Sequence, residues 1–115
     1  MRRDDTIRLR HMLDAAREAL GFTTGKARID LDTDRQLLLA LVKDIEIIGE
    51  AASRTTSECR EAHPGIPWQD SVAMRNRLIH GYFDIDVDIV WNTVTQELPL
   101  LVSEMERVLS LSGAP

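Results

Sequence analysis

Val87, Trp91, Val94, Leu98, Leu101, Met105 and Val108 recur at alternating steps of four and three. That is the period of one face of an α-helix, and a β-strand cannot present it. The chain must therefore contain a long helix, from about 86–88 to 110, with a continuous apolar stripe to bury. Pro99 lies inside this helix. Its ring removes one backbone hydrogen bond and crowds the preceding turn, which predicts a kink over residues 95–98 rather than an end.

The same period appears elsewhere. Leu9, Met12, Leu13, Ala16, Ala19 and Leu20 form one stripe over residues 4–20, with Gly21 as the expected stop. Residues 21–31, with Thr23, Thr24, Gly25 and Lys26, read as a loop. A second helix is expected from 32–34, where Asp32, Thr33 or Asp34 can cap free N–H groups, to about 54. Leu38, Leu41, Ile45, Ile48 and Ala52 make its stripe, and Leu37, Leu39, Val42 and Ile47 widen it. A helix apolar on more than one side either sits centrally or buries its second face in another subunit, and in so short a chain the second is favoured. Gly49 then marks either a close helix approach or a tolerated cost of about 1 kcal/mol relative to Ala.

His63-Pro64-Gly65-Ile66-Pro67 is a turn, and Pro67 or Trp68 suits the start of a short third helix ending at Gly81. Alternation of period two occurs only over Asp84-Ile85-Asp86-Val87-Asp88, too short and acidic to found a sheet. The expected fold is all-α, an up-and-down four-helix bundle with a short motif-bearing helix, in a single domain over residues 1–115.

Composition narrows the function classes. The 115 residues carry a net charge of −5, which argues against a general nucleic-acid binder and against DNA as partner, since polyphosphate affinity rests on Lys and Arg. Residues 54–77 are mildly basic, with Arg54, Arg60, Arg75, Arg77 and His63 against Glu58, Glu61 and Asp70. No apolar run approaches the roughly 20 residues that span a bilayer, and no apolar signal core follows Met1-Arg2-Arg3, so a cytoplasmic protein without a membrane partner is expected. The single cysteine, Cys59, reads as a small buried side chain.

Chemistry concentrates in Arg75-Asn76-Arg77-Leu78-Ile79-His80-Gly81-Tyr82. A fixed cation and an imidazole that titrates near neutrality are together sufficient to cut a phosphodiester without a metal. On a regular helix Asn76 and His80 share a face, while Arg75 and His80 stand about 140° apart. Arg75 instead aligns with Trp68, Val72 and Ile79, an apolar stripe on which a guanidinium needs an acid, carbonyls or a phosphate. It either pairs with an acid of a neighbouring helix for the sake of the fold, or faces an interface or a bound anion. His80, at the expected helix end, would have its imidazolium favoured by the helix dipole. Tyr82, the only tyrosine, reads from composition as a core or interface aromatic.

Weaker candidates read as ordinary. Asp84, Asp86 and Asp88 alternate like metal ligands but suit the start of the last helix, where the dipole favours carboxylates. His11 and His63 lack ligand partners at usable spacing, and Trp68 and Trp91 lie on apolar stripes as core. No metal site and no cofactor are expected.

Arg75, four residues, His80, one residue and Tyr82 match the Arg-x4-His-x-Tyr signature of the HepT-like toxins of the HEPN superfamily, with Asn76 after the Arg also typical. Ile47-Ile48-Gly49-Glu50-Ala51, Ile66-Pro67-Trp68, Met74, and Leu98-Pro99 with Leu101 resemble that family over about residues 5–109. The resemblance implies a homodimer in which motifs of two subunits form one cleft, acting as a metal-independent endoribonuclease toxin of a type VII-like toxin–antitoxin pair. By that resemblance Arg75 would bind the scissile phosphate, His80 would move the proton, and Asn76 would orient the imidazole or the phosphate. A small nucleotidyltransferase antitoxin, of the MntA type, would attach AMP to Tyr82. Glu50 also matches a family position, either as partner of Arg75 or as a polar packing contact. The competing readings are a non-catalytic helical adaptor or substrate-binding partner of a nucleotidyltransferase, and a bundle in which Arg75 and His80 only pack.

Overall fold

A computed structural model describes residues 1–80 and 84–111. Gly81, Tyr82 and Phe83 lie outside the described residues, as do 112–115. The helices are α1 (Arg3–Thr23), α2 (Asp30–Thr33), α3 (Arg35–Ser53), α4 (Ser57–Ala62), α5 (Trp68–Leu78), α6 (Val87–Asn92) and α7 (Leu98–Leu111). A π-helical turn, Thr93–Glu97, joins α6 to α7. Between α5 and α6, β1 (Ile79–His80) pairs antiparallel with β2 (Asp84–Ile85), with Ile79 opposite Ile85 and His80 opposite Asp84. The fold is all-α apart from this short ladder.

Local chemistry sets the helix ends. The Asp34 carboxylate accepts from the Leu37 N–H at 3.0 Å and starts α3, within the range that the capping residues predict. Thr56 caps α4 and Asp86 caps α6 in the same way, accepting from Cys59 and Ile89. At the far end of α3, Arg60 donates to the Ala52 and Ser53 carbonyls at 2.8 and 2.9 Å, where a cation also meets the negative end of the helix. α1 runs through Gly21 to Thr23 rather than stopping there; among the described residues the glycine with positive φ is Gly25, at 74°. Gly21 takes no left-handed turn, so it has no terminating effect.

Pro99 does not end the helix, and a π turn stands in the turn before it. Lacking an N–H, it leaves the Thr95 carbonyl without its usual donor, and the helix takes up the defect as a π turn closed by the Leu98 N–H on the Thr93 carbonyl. The Thr95 hydroxyl donates to the Trp91 carbonyl at 2.8 Å within the same turn.

The core joins the stripes read from the sequence. Leu9, Met12, Leu41, Ile45, Ile48, Met74, Leu78, Leu98, Leu101 and Met105 are fully buried. α1 packs against α3 and α7, and α3 packs against α5 as well as α1. α5 of the same chain covers part of the second face of α3, while Leu39 stays 44% exposed and Leu37 and Ile47 stay half-buried. Gly49 is the point of contact, because a Cβ there would stand 3.1 Å from the Ser71 carbonyl oxygen and 3.5 Å from that of Val72. A buried hydrogen-bonded link fixes the other end, where the Asp5 carboxylate accepts from the Thr56 N–H at 3.0 Å and its hydroxyl at 2.7 Å. No helix among the described residues is long and apolar enough to cross a membrane.

Candidate active site

α5 carries the first half of the motif and the β-ladder the second. α5 ends at Leu78, three residues before the expected stop, because Ile79 and His80 are extended and pair with β2. Two expectations change with this. His80 does not lie on a helix, so it shares no helical face with Asn76 and sits at no helix C-terminus. Asn76 is exposed, and among the described residues no hydrogen bond joins it to His80.

Asp86 does so instead. His80 Nε2 and Asp86 Oδ2 are 3.2 Å apart, and the other oxygen of that carboxylate accepts the Ile89 N–H at 3.1 Å. The Asp86 N–H donates to the Leu78 carbonyl at 2.6 Å, fixing the segment to the end of α5. The Ile89 N–H first, and then the His80 imidazole, hold the Asp86 carboxyl below the usual carboxylate range. An ionised carboxylate can only accept, so Nε2 carries the proton of this contact and Nδ1 is the nitrogen left for a substrate. His80 remains 62% exposed at its side chain, open to a ligand. Sequence reading missed this role for Asp86, since the signal is an N-cap aspartate whose reach to His80 depends on the pairing of β1 with β2.

Arg75 is not buried on an apolar stripe. Its side chain is 53% exposed, and Val72 beside it is also exposed, so the burial cost expected from spacing does not arise. Nε donates to Glu46 Oε1 at 3.2 Å. An ion pair this open contributes little stability. Its consequence is orientation: Glu46 takes Nε and leaves the two terminal nitrogens without a partner among the described residues, the atoms that grip a phosphate in bidentate fashion. Glu50 is not the partner of Arg75; it pairs with Arg54 at 2.8 Å. Arg77 pairs with Glu97 at 3.1 Å and ties α5 to the π turn.

Among the described residues, no hydrogen bond joins Arg75 to His80; one is held by an acid of α3, the other by the acid that heads α6. Tyr82, the proposed modification site, lies outside the described residues.

The remaining candidates take ordinary places. Asp88 pairs with Arg28 at 2.6 Å, and the His63 carbonyl accepts the Trp68 indole N–H at 3.0 Å. Cys59 is buried, and burial pushes its thiol pKa up, away from reactivity. Among the described residues no group of three or more His, Cys, Asp or Glu side chains is placed to hold a metal ion. A strongly perturbed carboxyl stands apart from the motif: Asp44, 2% exposed, is pushed up to about 7 by burial and then by the adjacent Glu18.

Comparison with known proteins gives the family. The family model described as "Ribonuclease HepT-like" matches residues 12–108, a span that includes Arg75, His80, Tyr82 and Asp86. Several relatives carry names of candidate ribonucleases. A HepT of Thermococcus cleftensis is 37% identical over 79 residues, covering 69% of this chain and 72% of that protein. An RNase of Caldanaerobacter subterraneus subsp. tengcongensis is 35% identical over 101 residues, 88% of this chain and 90% of its own. An RNase of Methanocaldococcus jannaschii is 33% identical over 107 residues, 93% and 98% respectively. No solved structure matches the chain at a significant level. With its helical frame and these matches in agreement, the chain belongs to the HepT-like family of ribonucleases.

Proposed function

We propose that the protein is a metal-independent endoribonuclease toxin, working as a homodimer and silenced by attachment of AMP to Tyr82 by a small nucleotidyltransferase antitoxin. The observation that carries this reading is an exposed His80, held by Asp86 and five residues beyond an Arg75 whose terminal nitrogens are free among the described residues, in a family of ribonucleases. In the reaction, a 2′-hydroxyl gives its proton to the imidazole as its oxygen attacks the adjacent phosphorus. The bond from phosphorus to the 5′-oxygen breaks, and that oxygen takes up a proton. The products are a 2′,3′-cyclic phosphate and a 5′-hydroxyl. Arg75 would stabilise the charge that builds on the phosphoryl oxygens, and Asp86 would hold the imidazole and stabilise its protonated form.

Arg75 and His80 turn toward different acids within one chain, which favours a site completed by the motif of a second copy. Tyr82, two residues from His80, is positioned in sequence for a phosphodiester-linked AMP to bring bulk and negative charge to the same place. The test is cleavage of RNA in EDTA by the purified protein, with His80→Ala inactive at an unchanged thermal midpoint. Cleavage retained by His80→Ala would falsify the assignment.

A further inference from the structure

Beside Arg75 a groove of about 670 Å³ opens between α1, α3 and α5, within the ~300–1,000 Å³ typical of ligand sites. Its walls include Arg8 from α1, Lys43 and Arg54 from α3 and its C-terminal end, and Arg75 from α5. This is a dense group of cations for a chain of net charge −5.

Two acids one helical turn apart on α3 organise these cations. Glu46 holds Arg75 and Glu50 holds Arg54, in each case through Nε, at 3.2 and 2.8 Å. Both guanidiniums therefore keep their terminal nitrogens free among the described residues. Neither Arg8 nor Lys43 forms an ion pair among the described residues, although Glu46 and Glu50 line the same groove. Arg8 is half-buried and Lys43 exposed. A half-buried guanidinium without a counterion is unfavourable unless an anion completes it. The groove is continuous with the residue assigned to the scissile phosphate.

We propose that this groove is a track for the RNA backbone, in which Arg54, Lys43 and Arg8 hold phosphates flanking the one at Arg75. The inference rests on the ribonuclease reading and extends it by naming how substrate beyond the cut is held. Contacts made to phosphates carry no base information, so the track is sequence-neutral. Target choice then lies elsewhere.

The test measures binding of a fluorescein-labelled single-stranded RNA to the His80→Ala protein across a salt series. Arg8→Ala and Lys43→Ala, and the charge reversal Lys43→Glu, should each weaken binding severalfold, equally for uridine and adenosine oligomers. Each lost phosphate contact should flatten the slope of log affinity against log salt by about 0.7. Lys26→Ala, an exposed cation outside the groove, should leave both unchanged. Unchanged affinity and slope in the groove variants, with cleavage by the His80-containing protein intact, overturns the track while leaving the ribonuclease standing. A change in sedimentation with RNA affinity unaltered also overturns it, in favour of a subunit contact. Absence of both RNA binding and cleavage in the otherwise unaltered protein overturns the two readings together.

Discussion

In the proposed reaction His80 is the base and Asp86 its holder, and the cap that fixes Asp86 makes a clean substitution possible. Asparagine caps a helix about as well as aspartate, so Asp86→Asn should preserve the bond to the Ile89 N–H while removing the charge that faces the imidazole. We expect kcat to fall by roughly tenfold or more with KM little changed, and the acidic limb of the pH–rate profile to move; an unaltered profile would show that Asp86 only caps. Asp44 makes a prediction about stability instead. Its carboxyl is raised from an ordinary 3.8 to about 7, so the folded state binds a proton that the unfolded chain has released. That contribution is complete below about pH 4 and is lost as the pH rises through 7. Asp44→Asn should therefore gain on the native protein from pH 4 upward, by on the order of 4 kcal/mol above pH 7, as thermal melts at several pH values would read. A constant difference across that range would refute it. Arg75, His80 and Tyr82 are legible in the sequence because their spacing is a signature. Asp86 and Glu46 are not, because their partners lie six and 29 positions away along the chain.

The long helices were legible for a simple reason: α1, α3 and the α6–π–α7 rod each bury a stripe whose period is that of the helix. The short ones were not. α2 and α4 hold four and six residues, too few to show a period, and α4 is marked only by the Thr56 cap. The end of α5 was placed too late because Gly81 suggested a C-terminal glycine, while pairing of Ile79–His80 with Asp84–Ile85 ends the helix earlier. Gly49 tests the α3–α5 contact directly. Alanine there gains about 1 kcal/mol of helix propensity, but its Cβ would press on the Ser71 carbonyl at 3.1 Å, and main chain yields less readily than a side chain. Gly49→Ala is expected to lose about 1 kcal/mol net and a few degrees of thermal midpoint, since overpacking of this kind costs ~1–3 kcal/mol. A stabilised variant would mean that α5 can shift outward.

In the assembled molecule α3 packs between α1 and α5, α7 packs on α1, and the motif lies at the end of α5. Each chain then shows Arg75 on the α3 side and His80 by the head of α6. If the cleft draws on two copies, mixing inactive Arg75→Ala and His80→Ala proteins after reversible dissociation should restore cleavage. In a twofold-symmetric dimer with composite sites, about a quarter of full activity is expected. Continued inactivity of the mixture would confine the site to one chain.

Helical class, the long helices and the reactive motif all follow from local pattern, because periodicity, capping residues and spacing act between neighbours in the chain. What covers α3, which acid holds Arg75 and which holds His80 depend on surfaces that meet only after the chain has turned back on itself. A glycine that merely permits close approach, and an aspartate that serves a helix and a histidine at once, acquire those meanings from their neighbours in space.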